Sequence, residues 1–300
     1  MPGPDRNARG RRRMTRENEA GLADPAIGRQ PTVVVVRHSL VARLWHWTTA
    51  GTVVLLLWSG VMIFNVHPRL YWGDSGHKGE AAIMEVAARD LSRTPLEVIG
   101  RAGGYEVDLT GWLGSVLDLG SAGKFFVLIA PSADFQFGAT RALHFLAAEV
   151  LIATWIFYAV YLMASRRLGR WVIYPKDMSP RIIFGQIKSY FTFWRKGRDA
   201  EMDYNPIQKM IYIALFFILI PVAILSGMTM SNAMTARFPL LLDMFGGRQS
   251  ARTIHFIAAG SFALFVVVHI AALLMAGPVN HMRAIVTGRF RITQKKGVGR

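Results

Sequence analysis

Apolar positions in this chain are concentrated in four long blocks; they are not spread at the period of a surface helix or strand. Residues 44–64 (LWHWTTAGTVVLLLWSGVMIF) are 21 positions without a formal charge. Residues 142–164 are 23 positions with one charge, Glu149, while residues 210–230 and 253–277 are uncharged runs of 21 and 25. A helix needs about 20 apolar residues to cross the hydrocarbon core of a bilayer, so each block is long enough to span it. Helices buried in a soluble core would leave too little polar chain to cover them. The pattern predicts an all-α, integral membrane four-helix bundle with spans near 41–64, 142–165, 208–230 and 252–276.

The connections set the expected orientation. Nine Arg precede residue 44, ten Lys or Arg lie in 165–209 and six follow residue 277, against seven in 65–141 and three in 231–252. Positive charge accumulates on cytoplasmic loops, so both termini and the 165–209 connection are expected in the cytoplasm. The simplest setting is a bacterial inner membrane, with the protein multi-pass and in contact with lipid. The chain then divides into a disordered basic tail (1–36), a four-span domain (37–292) and a second basic tail (293–300). The 65–141 connection faces the periplasm and is expected to hold short interfacial helices around 79–93 and 122–130.

Composition narrows the chemistry. Apolar side chains make up 52% and charged ones 18%, below the roughly one-quarter charged share of soluble domains. The net charge of +16 suits anionic lipid and cytoplasmic loops, and needs no nucleic acid to explain it. There is no cysteine, which excludes disulfides, iron–sulfur clusters, thiolate zinc sites, a cysteine nucleophile and covalently attached c-type haem. Any metal or cofactor must be held by His, Met, carboxylate or backbone.

Four of the eight histidines fall within the spans: His46, His144, His255 and His269. Ionisable residues inside a bilayer are costly and usually face the bundle interior for a functional reason. By depth, His46 and His269 lie toward the cytoplasmic side, and His144 and His255 toward the periplasmic side. His255 and His269 are 14 residues apart, which on a helix brings them within about 40° of one face and separates them by about 21 Å. One shared metal is impossible at that distance, whereas two stacked sites fit. Each level offers two imidazoles and no third ligand to complete a zinc or copper shell. Haem brings four equatorial nitrogens of its own and needs only the two axial ones. Three of the four histidines share a frame, RLWH at 43–46, RALH at 141–144 and RTIH at 252–255. Arg43, Arg141 and Arg252 are thus one turn nearer the headgroups than their histidines, where a guanidinium can snorkel or pair with a haem propionate.

These residues resemble the di-haem cytochrome b membrane subunits of thiosulfate reductase, respiratory formate dehydrogenase and nickel–iron hydrogenase. The resemblance runs over residues 37–292 and rests on RHSLVARLWHW at the first span, HPRLYWG after it, the RxxHF frame of the second and the paired histidines of the fourth. HPRLYWG and GPVNHMRAIVTGRF look closest to the thiosulfate-reductase-like branch. It implies two haem b groups, the inner held by His46 and His269 and the outer by His144 and His255, a pairing that depth alone also gives. It further implies a quinone or quinol site beside the inner haem, near Arg43, and a periplasmic molybdopterin-type oxidoreductase partner. The chain would then be a non-catalytic electron-transfer subunit of a respiratory oxidoreductase complex. A stand-alone transmembrane haem reductase, or a transporter relaying protons through His and Glu149, is the alternative.

Other residues carry weaker expectations. His38, His67, His77 and His281 read as surface histidines. Phe262 is seven residues from both His255 and His269 and is expected between the two levels. Ala258, Ala259, Gly51 and Gly260 are candidates for making room for flat macrocycles, and Pro221 is expected to kink the third span. Tyr71 and Trp72 are expected within the footprint of a docked soluble redox subunit.

Overall fold

The computed structural model describes residues 32–77, 79–88, 97–109, 137–166, 179–181, 184–185 and 206–293. Four helices are long and apolar enough to cross a membrane: Leu40–Val66, Phe137–Ala164, Ile207–Thr229 and Arg248–Met275. They are the four expected spans, the second beginning five residues earlier than its apolar block. The first span, α1 (Leu40–Val66), starts at Ser39, whose Oγ accepts from the backbone N–H of Ala42 at 3.3 Å and so satisfies one of the donors a helix start leaves open. It packs against the second, α2 (Phe137–Ala164).

The third span carries the expected irregularity at Pro221, in a specific form. Helix α3 (Pro206–Ala214) runs into a π-helical turn at Leu215–Leu219, followed by α4 (Ile220–Thr229). The N–H of Ile220 bonds to Leu215 O, five residues back. In that register the next N–H would serve Phe216 O, but residue 221 is proline and has none. The indole N–H of Trp155 on α2 donates to Phe216 O instead, at 3.0 Å. A π turn is where a helix absorbs an interruption in its hydrogen-bond ladder.

Two short helices, α5 (Asn232–Arg237) and α6 (Leu240–Phe245), lead to the fourth span, α7 (Arg248–Met275), which packs on α4. Helix α8 (Pro278–Thr287) follows. The centre of the bundle is aromatic: Tyr158, Leu162, Phe216, Ile220 and Phe262 are buried together, and Trp45 stacks on Tyr158 with ring centres 4.0 Å apart. Val54, Phe157, Leu264 and Val267 point outward and are well exposed, the arrangement of a bundle solvated by acyl chains.

Two small sheets lie outside the spans. Strand β1 (Thr32–Val36) pairs antiparallel with β6 (Arg289–Thr293), joining the ends of the described chain. Strands β2 (Arg69–Leu70), β3 (Met84–Ala88), β4 (Val98–Ala102) and β5 (Tyr105–Asp108) form an antiparallel meander between α1 and α2. The short helix expected around 79–93 is therefore corrected: its described part contains strand β3. A row of opposite charges crosses the four strands, Arg69, Glu85, Arg101 and Glu106, with contacts of 2.9–3.0 Å, and opposite charges on facing strands favour this register. Gly103 and Gly104 both have positive φ, 57° and 83°, as the two-residue turn between β4 and β5 requires. The other expected helix, 122–130, lies outside the described residues.

The 67–76 segment is fastened to the start of α7. Thr253 Oγ1 donates to Tyr71 O at 2.6 Å, the N–H of Gly73 donates to Ser250 Oγ at 2.7 Å, and the N–H groups of Gln249 and Ser250 both reach Gly73 O. Gly247, at φ 107°, is where the two backbones meet; a Cβ there would stand 2.5 Å from Gly73 O. This clamp fixes α7 one turn before His255.

Candidate functional site

The structure brings the four span histidines together as two pairs. His46 of α1 faces His269 of α7 with ring centres 6.4 Å apart, and His144 of α2 faces His255 of α7 at 6.2 Å. They are named inner and outer after the orientation expected from the loops. Phe262, midway between His255 and His269 in sequence, is buried in the aromatic centre. Among the described residues no group of three or more His, Cys, Asp or Glu side chains converges, so each site consists of two imidazoles.

The two pairs are held differently. In the outer pair His144 Nδ1 lies 2.8 Å from Ser59 Oγ, and His255 Nδ1 lies 2.9 Å from Ala223 O and 3.2 Å from Ser226 Oγ. Two glycines flank the same rings: a Cβ at Gly60 would be 3.6 Å from His144 Cε1, and one at Gly227 would be 3.1 Å from His255 Cε1. In the inner pair the His269 ring stacks on Phe265 at 5.5 Å, and His46 lies edge-on to Trp47. His46 Nδ1 is shielded from solvent without a hydrogen-bond partner among the described residues.

The three arginines of the repeated frame each have a protein contact. Arg43 donates to Val286 O at the end of α8 at 2.6 Å, complementing the negative end of that helix. Arg252 donates to His67 O at the end of α1. Arg141 sits over the Phe145 ring at 5.3 Å. A guanidinium has five N–H donors, so each keeps capacity for an anionic group; Arg43 Nε is itself buried and unpartnered among the described residues.

Near the inner pair, outside the spans, His38 and His281 are half-buried. Burial, then the neighbouring Arg37, His46, His281 and Arg43, push the His38 imidazole down to about 4. Burial and Arg37 also lower His281, against a hydrogen bond that its ring donates to the backbone carbonyl of Ala276. Both rings are thus held neutral near pH 7. Glu149 lies on the exposed face of α2, away from both pairs. Gly51 and Gly260 face open space, whereas Ala258 is buried. Of the two expected docking residues, Trp72 is 63% exposed but Tyr71 is only 2% exposed. Tyr71 packs inward under the 67–76 clamp and is not available to a partner.

Residues 37–288 match the family described as prokaryotic cytochrome b561. The chain belongs to that family. Its members are membrane electron-transfer proteins, and the family implies b-type haem. The match is to the family at large and does not single out the thiosulfate-reductase-like branch. Among curated proteins the chain is 27% identical over 166 residues to the "Putative protein-methionine-sulfoxide reductase subunit YedZ1" of Azospira oryzae, an overlap of 54% of this chain and 78% of that protein. No solved structure gives a significant match.

The residues present fit a haem. Two metal–nitrogen bonds of about 2.0 Å, with about 1.1 Å from each nitrogen to its ring centre, would place two imidazoles holding one metal about 6.2 Å apart. The observed 6.4 and 6.2 Å lie within about 0.2 Å of that separation. Direct histidine–histidine hydrogen bonding would require a closer approach.

Sequence reasoning missed Ser59, Gly60, Ser226 and Gly227. The signal was a repeated Ser-Gly dipeptide, in WSGVM of the first span and LSGMT of the third.

Proposed function

We propose that this cytochrome b561-family protein carries electrons across the membrane through two b-type haems, one at each histidine pair, between the quinone pool and an oxidoreductase subunit docked on the periplasmic side. The observation that carries this reading is the spacing of the two pairs at opposite levels of one bundle. Haem, when bound, supplies reversible one-electron exchange. The chain's own part would be to hold each haem between two imidazoles, which would leave no open position for substrate; Phe262, seven residues from both His255 and His269, packs with Tyr158 and Phe216 in the buried centre of the bundle. Arg43, Arg141 and Arg252 stand at the membrane-entry ends of their helices, where propionates would be met.

The relative's printed description as a subunit of a reductase favours a subunit over a stand-alone reductase. The exposed position of Glu149 removes the carboxyl that a proton relay through the bundle would use. A partner of molybdopterin type, a quinone site beside His46 and His269, and cytoplasmic termini complete the proposal. It is tested by adding a quinol to the purified protein and following haem reduction. Wild type is expected to reduce both haems, and His269→Ala, which lacks the inner one, to reduce its remaining outer haem more slowly. Equal rates in the two proteins would rule out entry at the inner level.

A further inference from the structure

The outer histidines each meet a serine oxygen at Nδ1, Ser59 Oγ for His144 and Ser226 Oγ for His255. Each hydroxyl has one proton, and in both serines it is directed along the helix: Ser59 Oγ donates to Leu55 O at 2.7 Å and Ser226 Oγ to Val222 O at 2.6 Å. This is the bond that serine forms with the preceding turn of a helix. With those protons on the helix carbonyls, the oxygen facing each imidazole accepts, which corresponds to ring protons on Nδ1 of His144 and His255. Ala223 O, 2.9 Å from His255 Nδ1, is a carbonyl that can only accept, and it independently requires the same tautomer. Both outer rings therefore present the Nε2 lone pair. Both serines are fully buried, and each is followed by the glycine that flanks the ring.

From this geometry we propose that Ser59 and Ser226 are positioning residues for the outer haem: they fix the tautomer and orientation of its two axial imidazoles and hold its reduction potential down. The proposal rests on the di-haem reading above. A ring N–H that donates to an acceptor makes the opposite nitrogen a stronger donor to the metal, and a stronger donor favours the ferric state. His46 Nδ1 has no such partner among the described residues, so this device acts on the outer level. It also gives the third span, which supplies no candidate ligand, a role: α4 carries both Ser226 and the Ala223 carbonyl.

The test is a redox titration of purified Ser59→Ala, Ser226→Ala and Ser59→Thr proteins, with the outer component assigned as the one missing from His144→Ala. In Ser59→Ala the outer midpoint is expected to rise so that the ferric-to-ferrous ratio at fixed potential changes about tenfold, about 59 mV for one electron, while the inner midpoint stays. Ser226→Ala should shift the same component less, because Ala223 O retains the His255 proton. Ser59→Thr, which keeps the hydroxyl, should titrate close to wild type. Selective loss of the outer haem in Ser59→Ala, with retention in Ser59→Thr, supports the proposal equally. Two bound haems with an unmoved outer midpoint in both alanine variants would overturn it, as would an equal shift of both components or loss of the outer haem in all three variants. Wild-type protein with fewer than two haems would instead overturn the di-haem reading.

Discussion

Trp155 and Pro221 are predicted to be energetically coupled through one carbonyl. The π turn directs Phe216 O at residue 221, where proline has no N–H, and the Trp155 indole fills the gap from α2 at 3.0 Å. Trp155→Phe keeps most of the ring and removes the donor. Leaving a buried carbonyl without it costs about 1–3 kcal/mol, and hydrogen bonds between membrane helices sit at the low end, up to about 1.7 kcal/mol. An expected loss of about 1–2 kcal/mol follows. Pro221→Ala supplies an N–H at the deficient position, so Trp155→Phe should cost less in that background. A double-mutant cycle of unfolding free energies in detergent isolates this term. A coupling energy of about 1 kcal/mol is expected. Strict additivity would refute the reasoning, since it would mean that Trp155 contributes only its ring.

Gly247→Ala should destabilise by about 2–3 kcal/mol, because φ is 107° and the new Cβ would stand 2.5 Å from Gly73 O; a thermal melt in detergent unchanged from wild type would show that the 67–76 clamp yields. His38 has a folded-state pKa of about 4 against an ordinary 6.5, so the unfolded chain binds its proton first on acidification. Its contribution is present above about pH 6.5 and is lost as pH falls toward 4, and His38→Asn should flatten that decline by about 1–2 kcal/mol once solvent screening of the half-buried ring is allowed for. An unflattened pH profile in the variant would exclude His38 as its source. A reporter inserted at the Gly103 and Gly104 turn should read as periplasmic and one fused after Arg300 as cytoplasmic; the reverse would invert the proposed topology.

The spans and the pairing of histidines were legible because both depend on quantities a sequence carries directly. An uncharged run of 21 to 25 residues has few options other than a membrane helix, and depth along a helix follows from counting residues. The four-stranded meander was not legible. MEVAA and VIGRA are short apolar runs that serve equally in helix or strand, and what decides is the cross-strand pairing of Arg69, Glu85, Arg101 and Glu106, a long-range fact. RAGG at 101–104, which lacks the spacing of a phosphate loop, is a hairpin turn. Tyr71 shows a second limit: an aromatic in a polar connection looks exposed until a carbonyl partner such as Thr253 is known. Ser59 and Ser226 were hidden because a serine within a span usually satisfies itself on its own helix, and only the neighbouring helix shows which ring its oxygen faces.

The central claim, two haems on two histidine pairs, is tested most directly by the haem-to-protein ratio and the reduced-minus-oxidised visible spectrum of the purified protein and its four histidine variants. Two b-type haems per chain are expected, both six-coordinate and low-spin. His46→Ala and His269→Ala should each remove one and the same spectral component, and His144→Ala and His255→Ala the other. A ratio of one haem per chain, or loss of the same component in His46→Ala and His144→Ala, would contradict the account.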